Sequence, residues 1–152
     1  MHVFFYFSYM NKDGPILIIE DDEDDRNLLA MVFEELNYSN EVFFFQNGEL
    51  ALDFLNDDTI YPFLILSDIN LPRLNGFELR KMIHTNEGLS AKCIPYLFFS
   101  TSVNRKAVCD AYTMSVQGFF QKPHSFDHLT GLMRKIVEYW QECYSPNHFE
   151  SD

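Results

Sequence analysis

Five runs of four to six mostly apolar residues recur along the chain: Ile16–Ile19, Val42–Phe45, Phe63–Ser67, Ile94–Phe99 and Val116–Gln121. Runs of that length without strict alternation are the signature of strands buried on both faces, as in a parallel sheet. The stretches between them follow a helical period instead. From Asp24 to Tyr38 the apolar positions Leu28, Leu29, Val32, Phe33 and Leu36 fall on one face, which predicts a helix directly after the first strand. Gly48–Leu55 reads as a short second helix. Asn75 followed by Glu78 forms an N-cap pair that opens a third helix running to about Thr85. A fourth spans about Asn104 to Thr113. A fifth, capped by Ser125 or Asp127, carries the stripe Phe126, Leu129, Leu132, Met133, Ile136, Val137 and Trp140, which reads as core packing. Strands and helices alternate without repeats or low-complexity linkers. The expected fold is therefore α/β: a flavodoxin-like, doubly wound (βα)5 parallel sheet of order 2-1-3-4-5.

The charged residues at the ends of three of these runs point to a single site. The first run ends on Glu20-Asp21-Asp22, the third on Asp68 and the fifth on Lys122-Pro123. Carboxyl ends of parallel strands line up along one sheet edge, where ligands of open α/β sheets bind. Carboxylates gathered there repel one another unless a hard cation holds them. The further acids Asp22, Glu23, Asp24 and Asp25 are accounted for by the helix dipole, which favours negative charge in a first turn.

Composition narrows the function. The 152 residues suit one domain, divided on this reading into an aromatic extension over 1–14, the domain itself over 15–143 and a tail over 144–152. The extension reads as an accessory strand or a misassigned start. Its apolar run is too short to span a bilayer and has no signal-peptide features. A formal charge of −12 argues against binding nucleic acid or anionic membranes. Cys93, Cys109 and Cys143 are odd in number and widely spaced, which suits reduced, buried thiols in a cytoplasmic protein. His2, His84, His124, His128 and His148 show no ligand spacing.

Glu20-Asp21, Asp68, Ser100 at the end of the fourth strand, Phe119 within the fifth and Lys122-Pro123 after it occur in an order and at intervals that each fit one strand-helix-strand unit. In these residues the span from about Pro15 to Glu142 resembles the CheY-like receiver domain of two-component response regulators. The resemblance implies that Asp68 accepts a phosphoryl group, that Ser100 and Phe119 form the switch, and that Lys122 and Pro123 are joined by a cis peptide aiming the lysine into the site. It implies no enzymatic activity beyond self-phosphorylation from small donors and autodephosphorylation. The partners implied are a sensor histidine kinase or phosphotransfer protein and a downstream target, with a homodimer through the fourth helix, fifth strand and fifth helix as an option. Glu20-Asp21 with Asp24-Asp25, and Ile94-Pro95 before the fourth strand, are most similar to single-domain receivers associated with phytochrome-type and other hybrid kinases. The short tail suits such a stand-alone receiver.

The chemistry accounts for each residue. Transfer of a phosphoryl group to a carboxylate brings two anions together, so catalysis is mostly positioning and neutralisation. Mg2+ supplies the neutralisation, held by Asp21 and Asp68, by Glu20 through a water and by the backbone carbonyl of Asn70. Lys122 offers a point charge and Ser100 a hydrogen bond to phosphate oxygens. Ser100 in place of the commoner Thr, and Phe119 in place of Tyr, are mild departures from the family pattern. A Mg2+-dependent aspartyl-phosphate phosphohydrolase is the alternative. It fits less well, because Asn70 stands where that class has a second acid and because its nucleophile belongs to the first strand. A flavin module would need a phosphate loop where four acids sit.

Overall fold

The computed structural model describes residues 12–144; most of the aromatic extension and most of the tail lie outside the described residues. Five parallel strands, β1 (Ile16–Ile19), β2 (Val42–Phe45), β3 (Leu64–Ser67), β4 (Tyr96–Ser100) and β5 (Gly118–Gln121), form one sheet of order β2-β1-β3-β4-β5. This is the expected doubly wound arrangement. The helices are α1 (Glu23–Leu36), α2 (Gly48–Leu55), α3 (Gly76–Thr85), α4 (Arg105–Thr113) and α5 (Phe126–Glu142). A single helical turn, Glu87–Ser90, extends the crossover after α3 and is not foreshadowed by the hydrophobic pattern.

The central strands β1, β3 and β4 are buried throughout, and alternate side chains feed two cores. Leu17, Ile19, Ile65, Tyr96 and Phe98 pack with Ala51, Leu55, Leu79, Ile83 and Ala111 of α2, α3 and α4. Ile16, Ile18, Leu64, Leu66, Leu97 and Phe99 pack with Leu29, Val32, Met133, Ile136 and Val137 of α1 and α5. An all-apolar strand run thus reflects two covered faces.

Local chemistry sets the boundaries. Asn47, Asn75, Asn104 and Ser125 cap α2, α3, α4 and α5 through their side chains, and Asn75 with Glu78 completes the capping box. α1 stops two residues short of the expected Tyr38 because Asn37 turns left-handed (φ 54°) and its N–H closes on Phe33 O. Val116 is buried in the core but precedes the β5 ladder.

The expectation of buried thiols is corrected. Cys93 and Cys109 are exposed and Cys143 is partly so. Cys93 occupies a left-handed turn (φ 51°) ahead of β4, and Cys109 lies on the outer side of α4.

Two buried cations fasten the crossovers. Lys92, 8% exposed, donates to the carbonyls of Leu55, Asp57 and Ile60 at 2.8, 2.9 and 2.8 Å, closing the C-terminal end of α2. Arg80 donates to Met114 O at 3.0 Å and Ser115 O at 2.7 Å, tying α3 to the end of α4.

Candidate functional site

The carboxyl ends of β1, β3 and β5 bring Glu20, Asp68 and Lys122 together, as their places in the sequence predict. Ladder-like hydrogen bonds continue past the strands, Glu20 N to Phe45 O at 2.9 Å, Asp68 N to Ile19 O at 3.0 Å and Lys122 N to Ser100 O at 2.8 Å, so the sheet itself fixes where these backbones end.

Asp68 is held at both oxygens. Oδ1 accepts from Ile69 N at 2.7 Å and Asn70 N at 3.3 Å, while Oδ2 accepts from Lys122 Nζ at 2.9 Å. Ser67 Oγ donates to the Asp68 carbonyl at 2.8 Å. The loop after Asp68 folds back through Gly76 N to Ile69 O at 2.9 Å. A Cβ at Gly76 would stand 2.2 Å from Asp68 O, so only glycine lets the start of α3 approach the aspartate this closely.

Lys122 Nζ is saturated by three carboxylates: Glu20 Oε1, Asp68 Oδ2 and, at 3.0 Å, Asp25 Oδ2. It is 8% exposed. Burial alone would lower its affinity for a proton, but the hydrogen bonds to Glu20 and Asp68 outweigh that and raise it. Burial pushes the Glu20 carboxyl up to about 7, a shift that Lys122 only partly offsets. Arg26 Nη1 donates to the Glu20 carbonyl at 2.8 Å, and Asp22 caps α1 by accepting from Asp25 N at 3.0 Å.

Lys122 reaches these partners from a trans peptide: no described peptide bond is cis, which corrects the expectation at Lys122-Pro123. The direction of β5 already aims the side chain at Asp68. With that reach supplied, the ordinary trans preference of about 0.5–1 kcal/mol for X–Pro stands.

Asp21 is exposed, while Glu20 and Asp68 are buried; one ligand oxygen from each of the three lies within 4.8 Å of the others. Oxygens bound at 2.0–2.6 Å on opposite sides of a cation stand about 4–5 Å apart, so the spacing fits a shared hard cation. Among the described residues, Glu20, Asp25 and Asp68 share the one ammonium of Lys122, and with Asp21 beside Glu20 and Asp68 the acids outnumber it, a surplus that fits a cation too. Ser100 is fully buried, and its Oγ accepts from Ser102 N at 3.2 Å. Ser100 and Ser102 line a cleft of about 260 Å³ with Ile69, Asn70 and Phe77. Phe119, opposite Phe98 in the β4–β5 register, is partly buried, with its ring centroid 6.1 Å from that of Phe98.

Asp25 is the residue that sequence reasoning misses, because the helix dipole suffices to explain an acid in that turn. A signal is present: Asp25 continues the stripe of Leu29 and Val32 one turn earlier, on the side of α1 that faces the sheet.

A sheet of this order with an acidic pair, an aspartate, a buried hydroxyl and a lysine at its strand ends defines a receiver. The response regulator receiver domain model matches residues 16–134, and the chain belongs to that family: it is a CheY-like phosphorelay receiver. It is 30% identical over 137 residues to the response regulator Rcp1 of Synechocystis sp., covering 87% of this chain and 92% of that protein. Identity to the probable methanogenesis regulatory protein FilR2 of Methanothrix harundinacea is 31% over 129 residues, 82% of each chain. Among solved structures, the phosphorylated cyanobacterial phytochrome response regulator RcpA superposes with a TM-score of 0.75 at 25% identity, over 87% of this chain and 96% of that one. The Mn2+-bound form of Rcp1 gives 0.74 at 28%, over 87% and 97%. No helix among the described residues is long and apolar enough to cross a membrane.

Proposed function

We propose that Asp68 is the phospho-accepting residue of this receiver. The observation that carries the reading is its carboxylate, clamped between two backbone N–H groups and Lys122 at the end of a central strand and close enough to Glu20 and Asp21 to share a cation. Mg2+ is the ion this set suits, with Asp21 and Asp68 as direct ligands, Glu20 through a water and Asn70 through its carbonyl. When bound, the ion neutralises charge between the carboxylate and the incoming phosphate.

A carboxylate oxygen of Asp68 attacks phosphorus, and the bond to the donor's imidazole nitrogen or acetyl oxygen breaks, leaving the electron pair on the leaving group. The N–H groups of Ile69 and Asn70 hold the nucleophile in one orientation before the donor arrives. Lys122 exchanges its bond to Asp68 for one to a phosphate oxygen, and Ser100 donates to another. Movement of Ser100 toward the phosphate frees space into which Phe119 turns, because a packed core answers a small displacement by changing rotamer. The surface that changes comprises α4, β5 and the start of α5, including Arg105 and the exposed Tyr112. There a downstream target docks, or a second copy pairs. The donor is a histidine kinase or phosphotransfer protein of the cytoplasm, and chemistry is confined to self-phosphorylation and hydrolysis of the aspartyl phosphate.

Incubation with acetyl phosphate and Mg2+ tests this: phosphate is incorporated by the wild type and not by Asp68→Asn. Label that persists in the variant, on a histidine or serine, contradicts it.

A further inference from the structure

We infer that Asp25 is a positioning residue that competes with phosphate for Lys122 and so tempers occupation of the phosphoryl site. The inference rests on the proposed role of Asp68. An ammonium has three N–H donors, and all three of Lys122 are engaged, by Glu20, Asp68 and Asp25. The three acceptors are not equivalent. Glu20 and Asp68 belong to the cluster whose oxygens converge within 4.8 Å, and Asp25 does not.

When a cation and a phosphoryl group occupy the site, Glu20 and Asp68 acquire other partners. Asp25 does not, and it remains as the carboxylate that holds the lysine toward the first turn of α1. It thereby opposes transfer of Nζ to a phosphate oxygen and adds a negative charge beside an incoming dianion. Its side chain is 38% exposed, against 8% for Lys122, so the restraint is solvent-screened and belongs with partly exposed ion pairs, whose removal changes an affinity by a factor of up to about five. Asp24, its exposed neighbour in the same first turn, has no described bond to Lys122 and serves as the control for the general field of the helix.

The experiment is a titration of the full-length protein with beryllofluoride at saturating Mg2+, for wild type, Asp25→Asn, Asp24→Asn, Lys122→Met, and the double variant Asp25→Asn with Lys122→Met. The expected result is that Asp25→Asn tightens binding about threefold, that Asp24→Asn leaves it within error of the wild type, and that the effect of Asp25→Asn vanishes in the Lys122→Met background. A structural role alone would not tighten binding, nor would its effect depend on Lys122. Three results overturn the inference while leaving the role of Asp68 intact: unchanged or weaker binding in Asp25→Asn, an equal gain in Asp24→Asn, or a gain that survives without the lysine. Failure of the wild type itself to bind beryllofluoride overturns the assignment of Asp68, and this inference with it.

Discussion

Replacing Gly76 with alanine should damage the fold and the site together, and the spacing around it sets by how much. The added Cβ would lie 2.2 Å from Asp68 O and 2.9 Å from both Ile69 Cα and a Phe98 ring carbon. Carbon and oxygen need more than about 3 Å, so the start of α3 or the Asp68 loop must shift by roughly 1 Å. Two of the three obstacles are backbone atoms, which cannot rotate aside. Overpacking of this kind costs about 1–3 kcal/mol, occasionally more. The opposing gain, alanine over glycine in a helix, is at most about 1 kcal/mol and smaller at a first position. A net loss of about 2 kcal/mol lowers the melting temperature by about 4–8 °C for a domain of this size. The shift also strains Gly76 N to Ile69 O at 2.9 Å and Tyr96 Oη to Gly76 O at 3.3 Å. It displaces the N–H groups that orient Asp68. A misplacement near 1 Å can cost about a hundredfold in rate, so phosphorylation by acetyl phosphate should fall at least about tenfold. Urea denaturation with parallel phosphorylation assays measures both. An alanine variant as stable as wild type, with full phosphorylation, would refute the close-approach argument and leave helix propensity as the governing term.

Lys92→Met keeps the aliphatic stem but leaves the carbonyls of Leu55, Asp57 and Ile60 without their charged donor, which should cost about 2 kcal/mol in urea denaturation without altering beryllofluoride affinity. Ser100→Ala should still accept phosphate but fail to transmit it: beryllofluoride should shift the backbone NMR signals around Phe119 in wild type and much less in the variant, and equal shifts would exclude Ser100 as the coupling residue. Because burial raises the Glu20 carboxyl from 4.5 to about 7, its contribution to the stability of the metal-free protein is full below pH 4.5 and is lost as pH rises to about 7. Metal binding opposes that proton, so Mg2+ affinity measured by calorimetry should rise across the same window, and a flat profile would contradict the burial of Glu20. Asp21→Ala should remove Mg2+ binding, and undiminished affinity would point to Asp22 or Asp24 as the ligand.

The strands are legible in the sequence because burial on both faces leaves almost no polar positions to blur Ile16–Ile19 or Phe63–Ser67, and alternation with helices gives the doubly wound class, of which β2-β1-β3-β4-β5 is one of the common orders. Glu20, Asp68 and Lys122 are legible for the same reason: they are the first charges after apolar runs, and parallel strands end on one edge. Boundaries set by single-residue geometry are harder to read. The left-handed Asn37 that stops α1 early and the turn at Glu87–Ser90 depend on local hydrogen bonds with no periodic trace. The exposure of Cys93 and Cys109 depends on which way the turn before β4 and the helix after it face, which the sequence around them does not declare. The trans bond before Pro123 and the bond from Asp25 to Lys122 share one cause. Both depend on where the lysine side chain already reaches once the sheet is assembled, across 97 positions of sequence in the case of Asp25. Gly76 is visible as a loop glycine, but its reason, the Asp68 carbonyl under its missing Cβ, emerges only in the packed structure.

Whether Asp68 carries the phosphoryl group is decided most directly by borohydride reduction. After incubation with acetyl phosphate and Mg2+, reduction converts an aspartyl phosphate to homoserine, and peptide mass spectrometry locates the change. Homoserine is expected at position 68, absent when Mg2+ is chelated and absent from Asp68→Asn. Homoserine at another aspartate, or a phosphorylated protein whose label resists borohydride, would contradict the assignment.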